Sequence, residues 1–279
     1  MVNEIYLSLQ GESTFAGLPC VFVRLTACHL RCSYCDTAYA FTEGRRRPLD
    51  EVVADIRRLA EPYAAAGSMF EVQRSTFNGQ RSLLNAQRST CEASPKSQIS
   101  NLRSEIPKGP RWPLVELTGG EPLLQPGALP LMRQLADEGF TVLLETSGAL
   151  DISGVDPRVH RIMDLKCPSS GETGRNRWEN LPHLRVTDEV KFVIGTAEDY
   201  AWAKETVATH RLDEVCPVLF SWVAPLTPAQ QHPALKPLPA EHTPLTRREL
   251  AERIIADALP VRFQVQMHKV IWPPDQRAV

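Results

Sequence analysis

The stretch CVFVRLTACHLRCSYCDT, residues 20–37, joins an apolar run to three closely spaced cysteines. Its first part, 20–25, is nearly continuous in apolar residues, as strands covered on both faces tend to be. Three residues separate Cys28 from Cys32, and two separate Cys32 from Cys35. Thiolates that lie so close in sequence most often bind metal. The stretch therefore predicts a buried strand that leads directly into a metal-binding loop.

Six further apolar runs with strand character follow at intervals along the chain. Most of them are nearly continuous in apolar residues, which is typical of strands buried on both faces of a sheet. The runs are LVELT (114–118), TVLLET (141–146), RIMDLK (161–166), EVKFVI (189–194), CPVLFSWV (216–223) and VRFQVQM (261–267).

Helical periodicity fills several of the gaps between these runs. The last helical segment has a capping-box signature, Thr246 followed three residues later by Glu249. Strands that alternate with helices predict a mainly parallel sheet, either open and doubly wound or closed towards a barrel. About seven strands with fewer clear helices favour an α/β protein with an incomplete (β/α) barrel, a single domain over residues 1–279. The helical segments are 49–60, 128–138, 197–210 and 245–259.

The bulk composition is ordinary for a globular protein, with 43% hydrophobic and 23% charged residues. The formal net charge of −2 gives no reason to expect a nucleic-acid or membrane-surface partner. No apolar run reaches the length of a membrane span, and the N-terminus shows no secretory signal. Seven cysteines, three of them crowded together, suit metal chemistry in a reducing cytoplasm better than a disulfide framework.

One stretch, 67–113, interrupts the alternation of strands and helices. It is polar and contains three tandem units, QRSTFNG, QRSLLNA and QRSTCEA, which begin at Gln73, Gln80 and Gln87. These units supply too few apolar residues for a coiled-coil seam. We interpret 67–113 as a low-complexity, disordered surface insertion, with a local helical segment as the alternative.

The number of crowded cysteines restricts the kind of metal site. A structural zinc site normally takes four ligands in two pairs, whereas the cysteines outside the triplet are scattered singly along the chain. A [4Fe-4S] cluster has four irons that each take an outside ligand, so three cysteines leave one iron open. The sequence favours a cluster whose open iron binds a small molecule, and zinc is the alternative.

The spacing Cys-x3-Cys-x2-Cys after the first buried strand resembles that of the radical S-adenosylmethionine (SAM) enzymes. A second motif, LTGGEP at 117–122, is similar to the Gly-Gly-Glu-Pro motif with which that family holds the SAM methionyl group. The resemblance implies a radical-SAM type (β/α) barrel. It also implies a [4Fe-4S] cluster on Cys28, Cys32 and Cys35, with SAM on the open iron. In the family, the reduced cluster cleaves SAM to a 5′-deoxyadenosyl radical.

The same resemblance implies which residues contact SAM. Tyr34 matches the family's aromatic residue near the adenine. The two glycines let the backbone approach the ligand, and the carboxylate that follows can accept from an ammonium group. Further contacts are expected from ETSG (145–148) and DLKCPSSGE (164–172), at the ends of predicted strands. The expected SAM-binding residues are Tyr34, Cys35, Asp36, Gly119, Gly120, Glu121, Ser147, Asp164 and Lys166.

Three segments narrow the resemblance: SLQGEST (8–14), FVRLTACHLRCSYCDT (22–37) and QVQMHK (264–269). They closely resemble the family of the 7-carboxy-7-deazaguanine synthases, over nearly the whole chain apart from the insertion. Those carbon–nitrogen lyases convert 6-carboxy-5,6,7,8-tetrahydropterin to 7-carboxy-7-deazaguanine with loss of ammonia, on the route to queuosine and other 7-deazapurines. The resemblance implies a small pterin substrate, a reductant such as flavodoxin or ferredoxin, and a homodimer.

By this resemblance, the substrate contacts the N-terminal segment and residues at several strand ends. An arginine can grip the substrate carboxylate through two hydrogen bonds, and amide and carboxylate groups can pair with the pterin edge. Thr37 corresponds to the family's Mg2+ ligand, and Mg2+ prefers oxygen ligands. The expected substrate-binding residues are Leu9, Gln10, Gly11, Glu12, Arg24, Thr118 and His268.

Structural roles stay open for several of these residues. The segment LQGES can be a turn after an N-terminal strand, and Arg24 can pair with a structural carboxylate. Thr37 can cap a helix, and His268 can lie on the surface. For the whole protein, one alternative is a radical SAM enzyme that activates a glycyl-radical enzyme, because that group shares the cysteine triplet. The alternative from another class is an electron-transfer or zinc-stabilised structural protein.

Overall fold

The computed structural model describes residues 1–63 and 111–279. Nearly all of the predicted insertion lies outside these residues, and so does Cys91; its last residues, 111–113, belong to a strand instead. The described residues contain one sheet of eight strands, built mostly from Val, Leu, Ile and Phe, which favour extended backbone. The strands are β1 (Val2–Leu9), β2 (Pro19–Leu25), β3 (Arg111–Gly119), β4 (Phe140–Thr146), β5 (His160–Asp164), β6 (Glu189–Ile194), β7 (Val218–Trp222) and β8 (Arg262–Gln264).

The order of the strands in the sheet is their order along the chain. β1 pairs antiparallel with β2, and every later neighbouring pair is parallel. A doubly wound sheet would reverse its strand order at a switch point. The consecutive order therefore shows that, of the two predicted arrangements, the sheet has that of a barrel. Among the described residues β1 and β8 are not paired, so the barrel is incomplete, as the sequence predicts.

Helices cover the outer face of this sheet. α3 and α4 both begin with a capping box, and that of α4 joins Thr246 to Glu249 as predicted. Leu131, Met132 and Leu135 of α2 are buried against the sheet in the main apolar core. The helices are α1 (49–63 in the described residues), α2 (Ala128–Asp137), α3 (Ala197–His210), α4 (Arg247–Ala256) and α5 (His268–Ile271).

The inner face of the sheet carries two layers of side chains. Alternate residues of a strand point to opposite faces, so residues two apart along one strand share the interior. One layer is apolar and buried. The next layer, two residues further along β3, β4 and β5, consists of Glu116, Glu145 and Asp164. The apolar layer consists of Cys20, Phe22, Leu114, Leu143, Ile162 and Leu219.

The loop between β1 and β2, residues 10–18, spans the gap between the two edges of the sheet. The backbone of Ser13 exchanges two hydrogen bonds with the side-chain amide of Gln264 on β8, at 3.1 and 2.7 Å. The amide of Thr14 donates to the buried carboxylate of Glu189 on β6 at 3.1 Å. The loop therefore takes the place of a β1–β8 pairing and brings the predicted substrate segment inside the barrel.

The sequence predicts most of these elements at nearly the observed bounds. Strands β2 to β7 and helices α1 to α4 are confirmed, and 168–183 contains only short 3-10 turns. β1 was not among the predicted apolar runs, since Asn3, Glu4 and Ser8 interrupt it and most of its residues are only partly buried. β8 is shorter than predicted and ends at Gln264. In the described residues, no helix combines the length and hydropathy that a membrane span requires.

Candidate functional site

A cavity of about 560 Å³ lies at the carboxyl ends of the parallel strands. Parallel sheets bind ligands at this end, because the strand-to-helix loops converge there. Apart from Glu121, every predicted site residue lines it. These residues are Leu9, Gln10, Gly11, Glu12, Arg24, Cys28, Cys32, Tyr34, Cys35, Asp36, Thr37, Thr118, Gly119, Gly120, Ser147, Asp164, Lys166 and His268.

The loop after β2 carries the three predicted cluster ligands. None of the three cysteines is in a disulfide. The loop is fixed against the segment after β5, because the amide of Ser33 donates to the Ser170 carbonyl at 3.1 Å and its hydroxyl to the Ser169 carbonyl at 2.6 Å. Arg31 adds a backbone hydrogen bond to the Glu172 carboxylate at 2.7 Å. The loop is therefore held in place by protein contacts alone.

The thiols fit an iron–sulfur cluster better than a single zinc ion. Burial raises the pKa of Cys28, Cys32 and Cys35, to about 12 for Cys32. Thiolates form in such a place when a bound metal centre stabilises their charge. In residues 1–63 and 111–279, no three His, Cys, Asp or Glu side chains converge closely enough to hold one metal ion. A cubane spreads its thiolates over different irons, so its ligands need not converge on one point.

The two glycines of LTGGEP lie against the start of the cysteine loop. Gly119 has φ +132°, and a side chain there would collide with the Leu25 carbonyl. A side chain on Gly120 would collide with the Ala27 carbonyl and come within 2.9 Å of the Cys28 amide. The amide of Glu121 donates to the Ala27 carbonyl at 2.8 Å. The glycines are thus needed to bring β3 and the cysteine loop together, whatever they also contact.

Glu121 is fully buried, and its carboxylate is already in use. It accepts from the Leu123 amide at 3.0 Å, from the Thr146 hydroxyl at 2.9 Å and from the Ser147 amide at 2.7 Å. This carboxylate caps the turn after β3 and fixes the end of β4. Glu121 does not line the cavity itself, but it fixes the position of Ser147, which lines the cavity.

Two buried polar atoms in the cavity wall have no hydrogen-bond partner among residues 1–63 and 111–279: the hydroxyl of Tyr34 and Oδ1 of Asp164. Oδ1 of Asp164 still lies within ion-pair distance of the ammonium group of Lys191, at 3.5 Å, and the other oxygen pairs with that of Lys166. Buried polar atoms are nearly always hydrogen-bonded, so the Tyr34 hydroxyl indicates a polar ligand at this wall. Both residues belong to the predicted SAM-binding set.

Thr37 does not act as a helix cap. It precedes a short 3-10 helix, Ala38–Phe41, but its side chain makes no capping hydrogen bond. Its hydroxyl lies 3.7 Å from the sulfur of Cys35. The neighbouring Asp36 carboxylate pairs with Lys269, which comes from α5. The Thr37 hydroxyl is therefore available to a ligand in the cavity.

Arg24 has a carboxylate partner within the protein, as the sequence requires of a buried guanidinium group. Its Nε donates to Glu4 at 2.7 Å, and Nη2 donates to the Tyr6 hydroxyl at 3.0 Å. The Tyr39 hydroxyl donates to the same Glu4 oxygen at 2.9 Å. Arg24 also lines the cavity, so the Glu4 contact leaves its remaining donor nitrogen for a substrate.

The predicted substrate segment forms a tight turn inside the barrel. The Gln10 side chain is 3% exposed; its amide nitrogen donates to Glu116, and its oxygen accepts from the Glu12 amide at 3.0 Å. A side chain on Gly11 would come within 2.6 Å of Nδ1 of His268. His268 is half-buried in the cavity wall rather than on the surface, and burial lowers its pKa. Because Gly11 has no side chain, the imidazole ring of His268 can pack directly against it.

Sequence reasoning did not single out three charged strand residues that line the cavity: Glu116, Lys191 and Glu145, the last within the expected ETSG segment. The ammonium group of Lys191 lies 3.0 Å from Glu12, 2.8 Å from Glu145 and 3.5 Å from Asp164. Burial raises the pKa of Glu116 well above its ordinary value and that of Glu145 to about 7. Lys191 could have been found from the sequence, because it is a charged residue inside the otherwise apolar strand EVKFVI. Arg24 was predicted as a site residue in a strand of the same kind.

The last residues of the chain also line the cavity. The segment 274–279 contributes to the wall opposite the strands' ends, and the Pro274 carbonyl accepts from the Gln230 side chain at 3.0 Å. The Arg277 guanidinium lies 3.8 Å from the ring centre of Tyr39 and pairs with Glu43 at 2.7 Å. These contacts hold the segment across the cavity.

The fold and the cysteine loop together define a class of protein. No protein-family model matches the chain. Among solved structures, QueE from Escherichia coli is similar to it, with a TM-score of 0.54 and 21% identity, over 96% of this chain and 93% of that one. At this identity the likeness shows the fold alone. An open (β/α) barrel with three cysteines after its first parallel strand is the architecture of the radical SAM enzymes.

Curated relatives show the family. The 7-carboxy-7-deazaguanine synthase of Koribacter versatilis is 38% identical over 280 residues, covering 100% of this chain and 99% of the relative. That of Chlorobaculum tepidum is 36% identical over 282 residues, covering 100% and 96%. The chain therefore belongs to the 7-carboxy-7-deazaguanine synthase family. Membership favours the predicted lyase over the glycyl-radical activating enzyme and over the zinc-stabilised structural protein.

Proposed function

We propose that this protein converts 6-carboxy-5,6,7,8-tetrahydropterin to 7-carboxy-7-deazaguanine with loss of ammonia, in a reducing cytoplasm. The observation that carries the proposal is that two groups of residues line the same cavity. The cysteines at 28, 32 and 35 lie in one group, and the segment 9–12 with Arg24 and His268 lies in the other. Substrate and cofactor would therefore meet between the cysteine loop and the turn that closes the barrel.

The residues described above would hold two cofactors. Cys28, Cys32 and Cys35 would bind a [4Fe-4S] cluster, and SAM would lie along Tyr34, Gly120, Ser147, Asp164 and Lys166. When bound, the reduced cluster and SAM supply the radical that takes a hydrogen atom from C6 of the pterin. The buried Tyr34 hydroxyl supports this placement of SAM, since it needs a polar partner.

The protein's own part in the reaction is to bind and orient the substrate. The ring edge of a pterin presents neighbouring N–H donors, and the carboxylates of Glu12 and Glu145 can accept hydrogen bonds from them. Arg24 can grip the substrate carboxylate, with Thr118 and His268 beside it. Fixed contacts on both sides of the ring would keep C6 in one orientation, while the cofactor supplies the radical chemistry.

Magnesium would be held by Thr37 together with the substrate carboxylate. The donor set fits Mg2+, which takes oxygen ligands and keeps several waters. Its chemistry there would be to neutralise and orient the carboxylate. The tail, 274–279, would reduce the access of water to the radical step, because Arg277 holds it against Tyr39 and Glu43.

Further partners follow from the family resemblance. A reductant such as flavodoxin or ferredoxin would supply the electron, and the protein would act as a homodimer. Neither nucleic acid nor membrane is required.

Anaerobic reconstitution followed by incubation with the carboxytetrahydropterin tests the proposed function. We expect about three protein thiolates per cluster, one equivalent of SAM bound at the open iron, and formation of the deazaguanine product. Spectroscopy that finds all four irons protein-bound would contradict the cofactor assignment. A brown, SAM-cleaving protein that leaves the pterin unchanged would contradict the substrate assignment alone.

Replacement of Thr37 tests the magnesium site. Thr37→Ala should weaken the dependence of turnover on Mg2+ while the cluster spectrum stays unchanged, because Thr37 touches the metal and not the iron. Thr37→Ser keeps the hydroxyl and is the matched control. We expect the Mg2+ concentration at half-maximal rate to rise about tenfold in the first variant and to stay near the original value in the second. Equal Mg2+ dependence in all three proteins would exclude Thr37 as a ligand.

A further inference from the structure

Lys191 is more deeply buried than the carboxylates around it. Its side chain is 6% exposed, whereas those of Glu12, Glu145 and Asp164 are 15%, 14% and 13% exposed. The three carboxylates come from three different elements: the loop 10–18, β4 and β5. The ammonium group on β6 therefore joins three carboxylates from different parts of the chain, at the wall of the cavity that all four residues line.

The hydrogen bonds of Lys191 fix two of these carboxylates. Its Nζ donates to both oxygens of Glu145, at 3.0 and 2.8 Å, and to one oxygen of Glu12 at 3.0 Å. No other donor among residues 1–63 and 111–279 bonds to either carboxylate group. The position of Asp164 depends less on Lys191, since Lys166 supplies a second ammonium group beside Asp164. Glu12 and Glu145 thus share one cation, which holds their positions relative to each other.

Four carboxyl groups share this layer with few cations. Those of Glu12, Glu116, Glu145 and Asp164 lie near the ammonium groups of Lys166 and Lys191, and the Arg24 guanidinium also attracts Glu116. Like charges in a buried site raise one another's pKa, and the attraction of a nearby cation lowers it. A ligand that brings N–H donors to this layer would add hydrogen bonds to these carboxyl groups.

We propose that Lys191 is a positioning residue that holds Glu12 and Glu145 as an ionised pair, and so makes the cavity select heterocycles with adjacent N–H donors. The inference rests on the proposed function for the identity of the substrate. The chemical class that it selects is a 2-amino-pyrimidinone ring, which presents an exocyclic amine beside a ring N–H. An analogue with an oxygen in place of the amine would put two acceptors against each other.

Discrimination between two substrates tests this role. The probes are the carboxytetrahydropterin and its 2-oxo analogue, assayed on the holoenzyme with KM and kcat measured separately. For Lys191→Met we expect KM for the pterin to rise about tenfold or more, with a smaller change in kcat, and the preference for the pterin over the analogue to fall by a similar factor. Lys191→Arg keeps the charge and should restore most of the preference. Lys204→Met, which breaks an exposed ion pair with Asp257, is the matched control.

A titration of carboxyl groups gives a readout that needs no turnover. Infrared difference spectra of the cluster-free protein, with Glu145→Gln to identify the band, would follow Glu145 between pH 5 and 9. We expect Lys191→Met to move this transition to higher pH, because Lys191 attracts the charged form while Asp164, Glu12 and Glu116 repel it. If Lys191→Met does not fold, Lys191→Gln, which also removes the charge but keeps a polar side chain, takes its place.

The outcomes separate the two proposals. An unchanged substrate preference together with an unchanged Glu145 transition would overturn the role of Lys191. A changed transition with an unchanged preference would show that Lys191 sets the charge but not the selection, which also overturns the inference. If the wild type does not convert the pterin, the proposed function fails, and the titration still decides whether Lys191 keeps the carboxylate pair ionised.

Discussion

The apolar layer and the charged layer inside the barrel lie on the same strands, two residues apart. On β4 they are Leu143 and Glu145, and on β5 they are Ile162 and Asp164. The first member of each pair is fully buried among apolar side chains, and the second faces a cavity with other charges. A step of two residues along a strand thus separates residues that stabilise the fold from residues that line a ligand site. The comparison teaches that position along the strand, and not the face alone, decides the role.

The largest expected effect is the loss of activity when one of the three proposed cluster ligands is removed. Cys32→Ala should abolish both the brown colour and turnover, since the remaining two thiolates leave a second iron without its protein ligand. The cluster-free variant should still unfold cooperatively near the melting temperature of the cluster-free wild type. Cys216→Ala, at a buried cysteine away from the cavity, is the control that should keep the cluster. Retained turnover in Cys32→Ala would contradict the cluster site.

The two members of one pair should separate stability from binding. Leu143→Ala should lower the free energy of unfolding by about 2–5 kcal/mol, because it opens a cavity in the apolar layer. Glu145→Gln is nearly isosteric and leaves Lys191 paired with Glu12 and Asp164, so it should destabilise the protein less than Leu143→Ala does but raise KM for the pterin about tenfold or more. Denaturant unfolding and steady-state kinetics on both variants measure the contrast. A stability loss of equal size in both would show that the two layers are one core.

The charged layer also predicts a pH dependence that the apolar layer does not. Burial, opposed by Lys191, raises the pKa of Glu145 to about 7. The pterin N–H groups need the ionised carboxylate, so kcat/KM should rise as the pH increases from 6 to 8 and level off above the pKa. Glu145→Gln removes the titrating group and should flatten this limb. A limb that persists in the variant would assign the titration to another group.

The smallest expected effect concerns the backbone that leads into the cysteine loop. Ala27 has φ +78°, a conformation that costs a non-glycine residue about 1–2 kcal/mol. Ala27→Gly relieves this strain but loosens the unfolded chain, so it should stabilise the protein by at most about 1 kcal/mol. Ala201→Gly, on the exposed face of α3, should instead destabilise by about 1 kcal/mol. Thermal unfolding of the two cluster-free variants compares the signs.

The fold could be predicted well because most strands are continuous apolar runs. The order of those runs gave the sheet, and the spacing of Cys28, Cys32 and Cys35 identified the loop that follows β2. β1 escaped prediction because Asn3, Glu4 and Ser8 interrupt its apolar residues, which are only partly buried. β8 was predicted too long, since the chain leaves the sheet after Gln264: Gln266 lines the cavity, and Met267 directly precedes α5.

The partners inside the site could not be predicted from the sequence. Lys191 lies 179 residues from Glu12 and 46 from Glu145, and only the sheet register brings the three together. Glu121 shows the opposite case: its motif predicts a ligand contact, whereas local capping and the end of β4 take up its carboxylate. A motif indicates which residues matter, but the distribution of hydrogen bonds needs three-dimensional neighbours.

The loop that spans the sheet edges has a consequence for the order in which the protein is made. Ser13 bonds to Gln264, 251 positions later, so these contacts await the synthesis of β8. Until then the turn that carries Gln10 and Glu12 lacks its anchor on β8. During synthesis the first loop of the chain therefore takes its final place only after the last strand of the sheet has emerged from the ribosome.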